Sequence, residues 1–326
     1  MHQNLYPLKF IPILKDKIWG GTRLRDQLGK EASPKAGESW EISSFEDNVS
    51  VVKNGFLAGN NLDELIEIYM GDLVGDAVYE KFGIEFPLLI KFIDANDDLS
   101  IQVHPDDHMA LQRHNSFGKT EMWYILDAEP GSKLFIGFNR PLDREHYLEH
   151  LNKGTLRDII NAEEIKAGDV YFMPAGRVHA IGAGILLTEI QQTSDLTYRI
   201  YDWDRTDENG QSRELHTGLA LDAIDYTWHE HYRSEYDRVR NRTNPAVDCP
   251  YFTTGVIIMD EPVEKDYNLI DSFIIYICTK GSARIVHGTE STDITMGECV
   301  LIPAALKNLT IVPEGECVLL EVYIKG

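Results

Sequence analysis

The sequence predicts a mainly β protein, with two β units in series and helical insertions confined to the first. Three observations predict this. Short apolar runs bounded by turn residues recur along the 326 residues, and one at Ser100 alternates polar with apolar side chains as a strand does. One spacing occurs twice. Gly168, five residues, Pro174, one residue, Gly176, two residues, His179 returns as Gly297, Pro303, Ala305 and Asn308 at the same intervals. Helical periodicity is found only in a few stretches of the first part, and about 250–326 is strand and turn throughout.

In chain order, residues 1–58 read as short strands and turns, with Trp19 and Trp40 equally suited to be packing anchors or substrate contacts. Asn61 and Glu64 form a capping-box pattern. Leu62, Leu65, Ile66 and Tyr69 follow at helical spacing, which predicts a helical region to about Lys81. Pro87 to Ile93 is a buried strand, and Asp94 to Leu99 turn the chain into the next. There Ser100, Gln102 and His104 share one face, with Ile101 and Val103 behind them. A short helix is expected over 107–118, then a strand from Glu121 to Leu126. Asp143 to Ala162 has a helical pattern broken at Gly154, so the insertions fall at about 60–82 and 142–166. Ile185 to Trp203 is strand-like, Thr206 to Arg213 an exposed loop, and Thr217 to Tyr226 a short helix. The polar stretch 228–248 reads as a connection, which divides the chain into domains 1–240 and 241–326.

His104 and Glu121 put an imidazole and a carboxylate on neighbouring strands, donors suited to zinc or a similar divalent ion. The turn after Pro174 delivers a second imidazole, His179, and Gln102 points to the same side as His104. His146 and His150 stand i, i+4 on a predicted helix, but no third donor accompanies them, so they read as an exposed helix face, as do His108 and His114. Cys249, Cys278, Cys299 and Cys317 form no C-x-x-C pair, and three lie in apolar strand-like runs, which predicts buried free thiols.

With 31 Lys and Arg against 53 Asp and Glu, the formal net charge of −22 argues against nucleic acid and anionic membrane surfaces as partners. No apolar run reaches membrane-helix length, and the first residues carry no signal-peptide pattern, so a cytoplasmic location is the default expectation. A phosphorylated ligand would need its own local positive charge here.

Gly168 to His179 matches the second motif of the cupin superfamily, and Gln102-x-His104 with Glu121 resembles its first, in which His-x-His precedes Glu. The resemblance implies two jelly-roll barrels, with a metal at the mouth of the first. His104, Glu121 and His179 would be its ligands, with Gln102 as a fourth and weaker one. Such a set leaves an open coordination position, as catalytic zinc sites do. The departure from His-x-His narrows the family. Gln-Val-His-Pro-Asp at 102–106, Gly-Lys-Thr-Glu-Met-Trp-Tyr at 118–124 and the run from Glu189 to Arg199 resemble the type I mannose-6-phosphate isomerases, in particular their short bacterial branch.

That resemblance implies one Zn2+ per chain and the interconversion of mannose 6-phosphate and fructose 6-phosphate through a cis-enediol. Arg199 matches the family's catalytic position, where a guanidinium is a better electrostatic stabiliser than a proton acceptor. Lys119, on the strand face of Glu121, would bind phosphate or assist proton transfer, and Ser100 would donate to phosphate. Glu189 and Asp195 match acidic positions, and either could be the base. Laying Phe273 on Glu121 and Asn308 on His179 makes the second barrel metal-free and structural, covering the first or building a subunit interface in a monomer or homodimer. Other readings are an isomerase of another phosphosugar, a dioxygenase or decarboxylase, and a non-enzymatic sugar-binding bicupin. Gln102 in place of histidine counts against the dioxygenase and the decarboxylase, and an intact first set of ligands against the non-enzyme.

Overall fold

The computed structural model describes residues 5–206 and 210–325, and the protein is mainly β. Among the described residues, a seven-stranded sheet and a five-stranded sheet are built from strands between Ile13 and Ser234. A further five-stranded and a four-stranded sheet use strands between Thr243 and Tyr323. All the ladders are antiparallel.

Alternation sorts the side chains into layers. From the seven-stranded sheet, Ile93, Trp123, Ile125 and Tyr171 meet Leu134, Ile136 and Ile181 of the facing five-stranded sheet. Ile101, Val103 and Ile200 lie on the outer side of that second sheet, packed with Tyr147 and Ala220 of the helices Arg144–Lys153 and Thr217–Ala223. The other face of the seven-stranded sheet, with Ile90, Phe92, Met122 and Ile190, shares one core with Val256, Ile275, Leu301 and Leu320. The largest core therefore joins the two halves of the chain. A fourth core, with Tyr276, Ile285 and Leu319, lies between the two C-terminal sheets.

Several expectations are refined. The helical region after Asn61 is three pieces, Leu62–Tyr69, Gly71–Val74 and Asp76–Phe82, broken where Met70 and Gly75 take positive φ. The capping box is present, with Asn61 N–H donating to Glu64 at 3.1 Å. The pattern from Asp143 is helical only to Lys153, because Gly154 ends the helix in the left-handed region and Ile160–Glu164 is an edge strand. The stretch 228–248 is more than a connection. Arg233–Ser234 adds to the seven-stranded sheet and Thr243–Asp248 opens the C-terminal one. Part of the 206–213 loop lies outside the described residues. The cysteines are free, and Cys278, Cys299 and Cys317 are buried.

The sequence repeat is visible in the ladders, with one correction. Gly168 and Gly297 both have φ of +85°. Met173 and Ile302 stand at the same offset from them; Met173 pairs with Glu121 and Ile302 with Ile274. The residue equivalent to Glu121 is thus Ile274, not Phe273. Register on an antiparallel ladder decides this, because a one-residue slip moves a side chain to the other face. Ile274 is in the inner core, whereas Phe273 lies in the core shared by the halves, 4.6 Å from Phe86 between ring centroids.

The halves are also joined at a helix start. Asp271 accepts from the N–H groups of Asp76 and Ala77, both at 2.9 Å, which satisfies two donors that the helix leaves unpaired. Replacing Asp271 with Ala should cost about 1 kcal/mol, the usual value of a lost N-terminal cap. The midpoint of urea unfolding will show it, and an unchanged midpoint would remove this cap from the account.

Candidate metal centre

With Ile101 and Val103 committed to the outer layer, Ser100, Gln102 and His104 turn to the space between the first two sheets. His179 opens the strand His179–Ile181 directly opposite Gln102. Glu121 opens the strand Glu121–Ala128 on the facing sheet, on the same face as Trp123 and Ile125. His104, Glu121 and His179 are 1%, 0% and 1% exposed, and their ligand atoms lie within 4.8 Å of one another. His104 Nε2 is 3.5 Å from one Glu121 oxygen and His179 Nε2 is 3.3 Å from the other. The Gln102 carboxamide is 3.4 Å from His179 Nε2.

The backbone fixes both tautomers. His104 Nδ1 is 2.7 Å from the Leu196 carbonyl and His179 Nδ1 is 2.9 Å from that of Arg177. A carbonyl only accepts, so each Nδ1 carries the proton and each Nε2 presents a lone pair. His104 Nε2 and both Glu121 oxygens are buried without a hydrogen-bond partner among the described residues. Acceptors facing one another out of water are costly unless a cation stands among them. Two neutral imidazoles and one carboxylate are a fitting donor set for a divalent ion with an open position. Burial keeps the imidazoles neutral, holding His104 well below its ordinary range and His179 down to about 4. Burial, reinforced by the charge of Glu189, pushes Glu121 up to about 8 in the absence of a cation.

A second set of charges lies beside the first. Lys119 Nζ is 3.3 Å from Glu121 and 5% exposed. Lys91 and Glu189 stand opposite each other in register and pair at 3.1 Å. Trp123 Nε1 donates to Glu189 at 2.9 Å, and Lys91 Nζ lies 5.1 Å from the Trp40 ring. Trp40 in turn donates to Glu38 at 2.7 Å. Burial opposes both charges of the pair, but mutual attraction prevails: Lys91 is raised, and with help from Lys119 Glu189 is held at about 2.

Arg199 lies directly opposite Gln102 on the strand Tyr198–Tyr201 and is half-buried. Its Nη1 donates to the Glu214 carbonyl at 2.9 Å, while its Nε is buried with no hydrogen-bond partner among the described residues. Asp202 nearby holds Arg205 at 2.6 Å and Arg213 at 2.5 Å, so guanidinium groups gather here. Ser100 is buried two residues before Gln102. Asp195 is exposed on the turn before Arg199. His146 and His150 serve their own helix, His146 on Asp143 at 2.8 Å and His150 on Thr155 Oγ1 at 2.8 Å.

Sequence reasoning missed Lys91, Glu38 and Trp123. The signal for Lys91 was a lone lysine inside the otherwise apolar run Pro87 to Ile93. On a strand buried on both faces, such a residue needs an internal partner.

Residues 8–130 match the family model described as phosphomannose isomerase type I, catalytic domain. The chain is 33% identical over 318 residues to mannose-6-phosphate isomerase ManA of Bacillus subtilis, covering 96% of this chain and 98% of that one. It is 34% identical over 304 residues to the mannose-6-phosphate isomerase of Streptococcus mutans, covering 93% and 94%. The crystal structure of a mannose 6-phosphate isomerase from Bacillus subtilis superposes with a TM-score of 0.88 at 33% identity, covering 98% of this chain and all of that one.

The Lys91–Glu189 pair yields a stability prediction. Glu189→Gln strands a buried ammonium and should cost about 3–5 kcal/mol, read from denaturant unfolding. The sign with pH follows from the direction of each shift. Glu189 is depressed on folding, so its contribution is present above the ordinary carboxylate range and lost as pH falls towards about 2. A Glu189→Gln variant as stable as the parent, with the same acid limb, would sink the idea.

Proposed function

The chain belongs to the type I phosphomannose isomerases, and on that premise we propose how its side chains divide the isomerisation of mannose 6-phosphate and fructose 6-phosphate among them. His104, Glu121 and His179 hold one zinc ion, with Gln102 beside it. When bound, the ion polarises the sugar oxygens next to the reacting carbons. The observation that supports this assignment best is the trio of buried acceptors without partners, His104 Nε2 and the two oxygens of Glu121.

Arg199, across from Gln102, stabilises the negative charge that develops on the sugar oxygen when the proton leaves carbon 2. Lys119 Nζ, next to Glu121, donates to a substrate oxygen, and Ser100 donates its hydroxyl to the phosphate. The two acidic candidates take different parts. Glu189 is anchored by Lys91 and Trp123 and held ionised, which suits it to setting the local field rather than accepting a proton. Asp195, exposed on the turn that leads to Arg199, carries the proton between carbons 2 and 1 through the cis-enediol. The sheets form two jelly-roll units, 1–240 with helical insertions and 241–326 without metal. The enzyme acts in the cytoplasm, as a monomer or homodimer.

If Arg199 acts on the transition state, Arg199→Ala should lower kcat by about a hundredfold or more, with KM for mannose 6-phosphate nearly unchanged and metal content the same. A raised KM with kcat intact would move Arg199 to ground-state phosphate binding. Chelation should abolish isomerisation and zinc restore it; full activity without metal would overturn the ligand assignment.

A further inference from the structure

We propose that Asp107 is a positioning residue that fixes the Lys119–Glu121 arm of the centre against the His104 arm, and that Tyr251 of the C-terminal half latches it in place. Asp107 follows His104 by three residues and opens the helix Asp107–His114, so its backbone belongs to the His104 arm. Its side chain belongs to the other. Oδ1 accepts from Gly118 N–H and from Gln192 Nε2, both at 2.9 Å. Gln192 Oε1 then accepts from Thr120 N–H at 2.8 Å, and Lys119 N–H donates to the Pro105 carbonyl at 3.1 Å. The three consecutive N–H groups that lead into Glu121 are thus all held by residues around Asp107.

Two further facts show how closely the arms are joined. A Cβ on Gly118 would come within 2.6 Å of Asp106 C and Asp107 N, so only glycine permits this approach. The remaining oxygen of Asp107, Oδ2, accepts from Tyr251 OH at 2.8 Å. Tyr251 lies in the turn between the C-terminal strands Thr243–Asp248 and Thr253–Met259. Asp107 touches neither the ligand atoms nor Lys119 Nζ. Its effect must pass through the backbone at 118–120, and it rests on Lys119 and Glu121 acting as assigned above.

The test compares Asp107→Ala, Asp107→Asn, Tyr251→Phe and Lys119→Met in the full chain. Zinc affinity is measured by chelator competition, amide exchange at 118–120 on the metal-free protein, and kcat, KM and Tm on each variant. Asp107→Ala should speed exchange at Gly118 and Thr120, weaken zinc binding by about ten- to hundredfold, the usual size of an outer-partner loss, and lower kcat more than it raises KM. Asp107→Asn should recover most of this, since its amide oxygen still accepts from Gly118 and Gln192. Tyr251→Phe should shift the same readouts in the same direction by less, and decides the matter if Asp107→Ala does not fold. Parental exchange and zinc affinity in Asp107→Ala would overturn the proposal. So would equal defects in the Ala and Asn variants that track Tm alone. Loss of activity in Lys119→Met alongside a normal Asp107→Ala sinks only this inference, whereas a fully active Lys119→Met sinks the assignment beneath it.

Discussion

A carboxylate with no exposed surface and no hydrogen-bond partner on either oxygen is the constraint around which the interior is arranged. Glu121 faces two imidazole lone pairs, so nothing in its immediate ligand shell can donate to it. Lys119 at 3.3 Å offers one charge. At an effective dielectric constant of about 20, that attraction is worth about 5 kcal/mol, no more than the several kcal/mol that each ion loses on leaving water. One lysine therefore offsets the burial of Glu121 without satisfying His104 Nε2 as well. A divalent cation would pair with His104 Nε2 and both Glu121 oxygens at once, which makes the cluster a fitting donor set for a metal.

The C-terminal sheets show what remains when that constraint is removed. Ile274 occupies the place of Glu121, and the space between these sheets is apolar at that point. The neighbouring carboxylate survives. Glu321 stands opposite Tyr276 as Glu189 stands opposite Trp123. Glu321 is buried, pairs with Lys265 at 2.6 Å and meets the hydroxyls of Tyr267 and Tyr276. Gly255 holds the position of Lys91, so the cation arrives from another strand. The buried acid–base pair is thus separable from the ligand set. Among the described residues it recurs away from the His104, Glu121 and His179 cluster, which marks it as a feature of the sheet architecture that the first sheets combine with that cluster.

Much of this was legible in the sequence, because alternation on a strand fixes which side chains face one another. Gln102, His104 and the apolar residues between them fall as the period of two requires, and the turn at Gly176 delivers His179 because its φ of +91° suits glycine. What escaped depends on register and on partners distant in sequence. The Phe273 alignment failed by one residue, since two successive apolar side chains give no hint of which faces in. Asp107 carries no local signal either: its partners Gly118, Gln192 and Tyr251 come from three other parts of the chain.

The shared core explains why the polar residues of the site are where they are. The strands Leu88–Ala95 and Ile185–Gln192 are buried along their whole lengths, because the C-terminal strands, with Leu8 and Phe10 of the first residues and Leu65 and Ile66 of the helix Leu62–Tyr69, cover the face turned away from the centre. A strand covered on both sides has no solvent-facing positions to absorb charged residues. Lys91 and Glu189 can therefore persist only by facing the space between the first two sheets and pairing there. A cover on the back of the sheet thus dictates the chemistry at its front. The C-terminal strands thereby take a physical part in a site they do not line, by packing on the back of the sheet that carries Lys91 and Glu189.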